Sequence, residues 1–212
     1  MVNLILDCSC GMNVYVIQDE KIFSRINTTQ NKHSDEILLV VDELLAQAKI
    51  SVNQIDNIGV CIGPGSFTGV RVAISLAKGL AIGSQAKVFV LSNFEIFNVE
   101  NRFNSCLVLD GFSSFVYARF FDGEKCVDEC IDLNQLSELV KKERKHVFVT
   151  TEKLKMILQT YQVDSELLES SIVNSFARHI SKGQDVKLNQ IFPVYLRASQ
   201  AEIEREKKLK NG

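Results

Sequence analysis

Leu4-Ile5-Leu6-Asp7 returns later in the chain as Leu107-Val108-Leu109-Asp110, and the surroundings of the two copies read alike. Each is a short apolar run that stops at an aspartate, the pattern of a strand entering a core and ending at its polar rim. After the first come Val14 to Gln18 and, past the tight Asp19-Glu20 connection, Lys21 to Asn27. After the second come Phe115 to Phe121, the hairpin signal Asp122-Gly123, and Lys125 to Asp132. Val14-Tyr15 then matches Val116-Tyr117. Two such meanders imply a duplication, with chance likeness between two hairpins as the competing account.

Helical and strand patterns alternate behind each meander, the signature of layered α/β architecture. In the first half, Ser34 to Lys49 carries the stripe Ile37, Leu38, Val41, Leu44, Leu45 and Ala48, with Asp35 and Glu36 well placed at a helix start. A buried strand over Asn57 to Ile62 follows, then a glycine-rich turn, a helix through Leu80, and a strand from Lys87 to Leu91. The second half offers Leu133 to Glu143, His146 to Thr150, Glu152 to Tyr161 and Ser171 to Lys182 as successors. This order resembles the ribonuclease-H-like lobes of the actin, sugar-kinase and Hsp70 (ASKHA) superfamily. The expected fold is therefore a duplicated α/β protein with lobes over 1–100 and 101–200, the second smaller, and a charged tail over 201–212. A likeness of fold settles no chemistry.

The chain of 212 residues is long enough for one sizeable core or two small ones, and its 46% hydrophobic and 24% charged residues are ordinary for a globular protein. A net charge of -2 offers no pull on a polyanion, so nucleic acid, if bound, is expected only through a partner. No run is long and apolar enough to span a bilayer, which favours a cytoplasmic protein without membrane contact. The six cysteines, Cys8, Cys10, Cys61, Cys106, Cys126 and Cys130, form no CxxC pair and read mostly as reduced core residues. His33, His146 and His179 are too far apart in sequence to set two imidazoles on one helix face, so no metal site is expected.

The most informative stretch is Gly63-Pro64-Gly65-Ser66-Phe67-Thr68-Gly69-Val70-Arg71. Gly63 and Gly65 supply turn conformations, Pro64 stiffens them, and Ser66 is a good N-cap, so the turn is built to launch a helix. A Walker-type phosphate loop needs Lys and then Ser or Thr after its last glycine, where Val70 and Arg71 stand. A nucleophile elbow needs glycine two residues before its serine, where Pro64 stands. A looser anion site at the helix start stays open. Within the helix, Gly69, Ala73, Ala77 and Ala81 form a small-residue ridge that lets something approach closely, either the chain's own sheet or a second protein.

From Gly63 to Arg71 the sequence resembles the TsaB family signature, GPGSFTG followed by a hydrophobic residue and arginine, and Lys78-Gly79-Leu80-Ala81 resembles its continuation. His33-Ser34 before the helix with Leu38-Leu39 and Asp42-Glu43-Leu44-Leu45, and the closing Pro193-Val194-Tyr195-Leu196-Arg197, fit in the family's order. The resemblance implies a non-catalytic activator of the bacterial threonylcarbamoyladenosine (t6A) complex that binds the catalytic subunit TsaD. It also implies the ATPase TsaE as a further partner, and a homodimer in isolation. The interface it implies comprises His33, Ile37, Leu38, Val41 and Leu45 of the first helix with Phe67, Val70, Arg71, Ile74 and Ala77 of the second. No cofactor is expected on the chain itself; the resemblance leaves room for ATP or ADP at the interface of the assembled complex.

The sequence departs from the family pattern at three places. Cys8 follows Asp7 where threonine is usual, Gly111-Phe112 follows Asp110 where Ala-Arg is usual, and Val40 stands where proline is usual. Cys8-Ser9-Cys10-Gly11 and Gly111-Phe112-Ser113-Ser114 are both poor phosphate loops, so Asp7 and Asp110 read as structural strand ends. The competing functions are a small ATP-dependent phosphotransferase of the sugar-kinase superfamily, motivated by the paired aspartates, and a hydrolase using Ser66. The tail from Glu202 to Lys210 balances Glu202, Glu204 and Glu206 against Arg205, Lys207, Lys208 and Lys210, and so reads as a solvated helix.

Overall fold

The computed structural model describes residues 1–27, 33–97, 99, 103–169 and 171–197; the side chain of His33 and the charged segment 201–212 lie outside the described residues. The chain forms two compact units, Met1–Glu100 with Leu168–Val194, and Asn101–Leu167 with Tyr195–Gly212. The expected contiguous second lobe over 101–200 is corrected by this division, because residues 168–194 return to the first unit.

Unit 1 opens with β1 (Val2–Asp7), β2 (Met12–Gln18) and β3 (Lys21–Asn27), then α1 (His33–Ala48), β4 (Asn57–Cys61), α2 (Phe67–Ser84), β5 (Lys87–Leu91) and the short α3 (Asn93–Ile96). Unit 2 repeats the plan with β6 (Ser105–Phe112), β7 (Phe115–Asp122), β8 (Lys125–Asp132), α4 (Leu133–Glu143), β9 (His146–Val149), α5 (Glu152–Thr160) and the two-residue β10 (Glu166–Leu167). The chain then re-enters unit 1 as α6 (Ile172–Ser181). Strand order is β3-β2-β1-β4-β5 in one sheet and β10-β9-β6-β7-β8 in the other. In both sheets the first three strands are antiparallel and the rest join in parallel.

Side-chain alternation on β1 divides the unit 1 core. Leu4, Leu6 and Cys8 pack with α1 and α2, while Ile5 packs with Phe89, Phe176 and Leu91 on the opposite face. Leu4 and Leu6 are fully buried, each contributing about 2 kcal/mol over leaving it exposed. α6 covers the second face because Phe176 finds room over Gly59, where an added Cβ would lie 2.7 Å from the ring. In unit 2, Cys106, Val108, Val147 and Val149 pack with Leu136 and Val140 of α4 and with Leu154 and Leu158 of α5.

The parallel ladders give the true correspondence between the halves. Leu4 pairs with Ile58 and Leu6 with Val60, as Cys106 pairs with Val147 and Val108 with Val149. All eight face the paired helices. Leu6 thus shares the helix-facing side with Val108, and Asp7 the opposite side with Leu109. The matching quartets of the sequence are one residue out of register, and a slip of one residue on a strand moves every side chain to the other face. β6 also runs past Asp110 to Phe112, with an irregularity between Leu109 and Phe112.

Candidate functional site: the glycine turn and the α1–α2 pair

The ridge Gly69, Ala73, Ala77 and Ala81 is buried, so it is the chain's own core and not a protein-facing surface. The same holds for most of the candidate interface. Ile37, Val41 and Leu45 of α1, and Val70, Ile74 and Ala77 of α2, are at most 5% exposed, and all belong to the cluster under the sheet. This corrects their expected place at a partner's surface: they hold the helices on the sheet. Of the remaining candidates, Leu38 is 50% exposed, Arg71 is exposed with its guanidinium 3.8 Å above the Phe67 ring, and Phe67 is half-buried.

The outward side holds residues the sequence reading passed over. Leu39 and Ile82 are 61% and 73% exposed, and nothing lies within 4 Å of a Cβ added at Gly79 or Gly83. Helical phase carries the signal for α1: Ile37, Val41, Leu44, Leu45 and Ala48 form one stripe, Leu38 lies at its edge, and Leu39 falls outside it.

The glycine turn fits against the segment that follows β1. Ser66 caps α2, its Oγ accepting from the Gly69 amide at 3.2 Å, and the Ser66 amide donates to the Ser9 carbonyl at 2.7 Å. A Cβ at Gly65 would collide with the Ser9 carbonyl, and one at Gly69 with the Cys8 carbonyl. These two glycines are therefore demanded by close backbone approach, and a carbonyl stands where an anion would have to bind. On the far side of the turn, the Val194 amide donates to the Ile62 carbonyl at 2.8 Å and the Asn93 amide to the Gly63 carbonyl at 2.7 Å. Gly63 itself has φ +93°.

Behind the turn lies a buried polar group. Asp7 Oδ1 accepts from the Ser9 amide at 2.9 Å and from Ser9 Oγ at 2.6 Å. Asn93 Nδ2 donates to Ser9 Oγ at 2.9 Å and to the Pro64 carbonyl at 2.7 Å, leaving Asn93 Oδ1 to accept from Cys61 Sγ at 3.1 Å. Burial, with the nearby Asp7 charge second, pushes the Cys8 thiol up to about 12 and raises Cys61 well above the ordinary range. Neither thiol is a ready nucleophile.

Asp110 has a different use: it accepts from Thr151 Oγ1 at 2.7 Å, and Thr151 caps α5. Beyond it, Phe112 stacks on Phe115 with centroids 5.4 Å apart, and the Arg197 guanidinium lies 3.5 Å above Phe112. Three cysteines, Cys8, Cys61 and Cys106, are buried, whereas Cys10 and Cys126 are exposed and Cys130 is intermediate, fewer in the core than expected. Among the described residues no group of three or more His, Cys, Asp or Glu is placed to hold a metal, and no helix is long and apolar enough to cross a membrane.

Two ribonuclease-H-like units, the first with a glycine turn closed by its own backbone, define a two-lobed protein of the ASKHA class. Residues 19–137, more than half of the chain, match the family model described as TsaD, tRNA N6-adenosine threonylcarbamoyltransferase. The chain belongs to this family and, within it, to the TsaB/YeaZ group. It is 41% identical over 80 residues to the tRNA threonylcarbamoyladenosine biosynthesis protein TsaB of Haemophilus influenzae, covering 34% of each chain. It is 31% identical over 119 residues to the tRNA N6-adenosine threonylcarbamoyltransferase of Kosmotoga olearia, covering 48% of this chain and 36% of that one. The chain thus spans about a third of the length of these curated relatives. The fold is that of YeaZ from Pseudomonas aeruginosa, with a TM-score of 0.69 and 22% identity over 92% of this chain and 99% of that one.

Proposed function

We propose that this chain is a non-catalytic subunit of t6A synthesis in the cytoplasm, which binds a TsaD-type transferase through the outward side of α1 and α2 and so activates it. The observation that carries this reading is the exposure of Leu38 and Leu39 on α1 and of Ile82 on α2, where the backbone at Gly79 and Gly83 is open. Small residues next to exposed aliphatic ones let a second helix pair approach closely. Binding one conformation of the transferase better than another shifts its population, and a difference of about 1.4 kcal/mol is a tenfold change. The same side serves a homodimer when the transferase is absent. TsaE and tRNA join through the assembled complex, and ATP or ADP belongs to the transferase interface rather than to this glycine turn.

The phosphotransferase alternative loses support at two points. The Ser9 carbonyl occupies the start of α2, and Asp7 and Asp110 are not register equivalents. The test is size-exclusion chromatography with light scattering on the chain alone and mixed with the TsaD protein of the same organism. A dimer that gives way to a one-to-one complex, and fails to do so when Leu38 and Ile82 are both changed to arginine, is the expected outcome. A chain that ignores the transferase, or a variant that still binds it, would overturn the reading.

A further inference from the structure

We infer that Asp7 is a positioning residue: through Ser9 and Asn93 its carboxylate fixes the turn that launches α2, and so presets the outward face of that helix for a partner. The partner half rests on the function proposed above. A strand-end carboxylate with only a capping role would stop at the nearest amide. Here the chain of bonds continues. Asp7 is only 7% exposed and Ser9 4%, so each must be satisfied by protein groups. Ser9 uses all its polar atoms: its amide and hydroxyl donate to Asp7, its hydroxyl accepts from Asn93, and its carbonyl accepts from Ser66.

Asn93 is equally committed. Its amide and side chain take the Gly63 and Pro64 carbonyls, while Val194 takes that of Ile62. Three successive carbonyls of the turn and the amide of Ser66 are each bonded to a residue outside it. The Cys8 and Ser9 carbonyls, pressed against Gly69 and Gly65, leave the first turn of α2 no slack. Removing the Asp7 carboxylate leaves the buried Ser9 amide without its acceptor and the hydroxyl with only Asn93 Oδ1, at 3.3 Å, which frees the segment that seats α2. Phe67 and Arg71 ride on that first turn.

The test uses the intact chain with Asp7→Ala and Asp7→Asn. The asparagine retains a carbonyl oxygen to accept from Ser9. Amide exchange at Ser66 and Gly69 is measured on the chain alone, with β4 amides as the internal reference, and affinity for the TsaD protein is measured by calorimetry. Asp7→Ala is expected to speed exchange at Ser66 and Gly69 by about tenfold relative to β4, and to weaken partner binding by about tenfold. Asp7→Asn is expected to restore most of both.

Unchanged exchange in Asp7→Ala would overturn the inference. So would an asparagine variant as impaired as the alanine one in both exchange and partner binding, since the acceptor it retains for Ser9 would then count for nothing. Should Asp7→Ala not fold, Asn93→Ala breaks the Ser9 and Pro64 bonds without stranding the acid and carries the same expectation. A wild-type chain that does not bind the transferase overturns the proposed function alone, because the exchange measurement needs no partner.

Discussion

Both units launch a helix after their fourth strand, and they fix its first turn by different means. In unit 1 the fit is backbone against backbone: the Ser9 carbonyl takes the Ser66 amide, and the Cys8 carbonyl lies where a side chain at Gly69 would be. In unit 2 one side-chain bond suffices, from Thr151 Oγ1 to Asp110. Counting from each N-cap, Gly69 of α2 occupies the position that Leu154 holds in α5. Leu154 is 2% exposed and fills the space that unit 1 fills with main chain. A backbone fit tolerates no added atom but sets the helix rigidly, whereas a side-chain fit can be repacked. Unit 1, which carries the exposed α1–α2 side, uses the stricter device.

The comparison breaks most directly at those two positions. Changing each to alanine adds a methyl in unit 1 and deletes three carbons in unit 2. Leu154→Ala is expected to cost about 3 kcal/mol through its cavity, and Gly69→Ala a similar amount, up to about 3 kcal/mol, by overpacking against a carbonyl that cannot move aside. Urea denaturation followed by circular dichroism gives the magnitude, and residue-resolved exchange shows which unit opens. If Gly69→Ala is neutral, the segment after β1 moves freely and the rigidity argument fails. A smaller effect is expected from Thr151→Val, about 1 kcal/mol for a lost N-cap, confined to unit 2.

The strands β1 to β9 were legible in the sequence because alternation is local, and so were α1, α2, α4 and α5, whose stripes repeat with helical period; the two-residue β10 was not. Phase across the duplication was not. Leu4-Ile5-Leu6-Asp7 and Leu107-Val108-Leu109-Asp110 align by letters, yet their ladders place Leu6 opposite Val60 and Val108 opposite Val149, which sets the two letter-aligned runs on opposite faces. Only the facing strand carries that information. Gly65 and Gly69 announced a turn, but the Cys8 and Ser9 carbonyls that demand them come from a distant part of the chain. Asn93, the hub of the turn, carries no local signature. The return of α6 to unit 1 had one faint cue: Gly59 in the middle of an apolar strand pattern marks a close approach, and Phe176 makes it.

Alkaline titration sharpens the likeness between the units, since each buries a thiol in its helix-facing core. Burial pushes Cys8 up to about 12, with the Asp7 charge adding to it, and burial does the same to Cys106, where Lys145 opposes it. A thiol whose folded value lies above its unfolded value near 9 gives stability that is whole below pH 9 and lost as pH rises towards 12. Between pH 8 and 10 the loss is expected to be of order 1 kcal/mol per thiol. Cys8→Ala and Cys106→Ala should each flatten part of it, with stability measured against pH. Cys61, raised in the same way on the other face of the unit 1 sheet, keeps a share when both are replaced, so only a loss that neither substitution lessens would assign it to other groups.

The weakest contrast lies at acid pH and singles out unit 2. Asp132 caps α4: hydrogen bonds from Ser114 and from the Asn134 amide hold its carboxyl below the usual range, and its Oδ1 accepts from that amide at 2.9 Å. A carboxyl depressed in the folded state gives stability that is present above its unfolded value and lost as pH falls through the folded one. α1 has no basic residue in its last turn, whereas α4 ends with Lys141 and Lys142, whose charges favour the helix C-terminus. Exchange at the Asn134 amide should rise as pH is lowered below 4, after correction for intrinsic rates, and Asp132→Asn, which keeps an acceptor, should remove that dependence. An Asn134 amide indifferent to both would mean that Leu133 and Leu136, anchored in the core, hold the start of α4 without help from its cap.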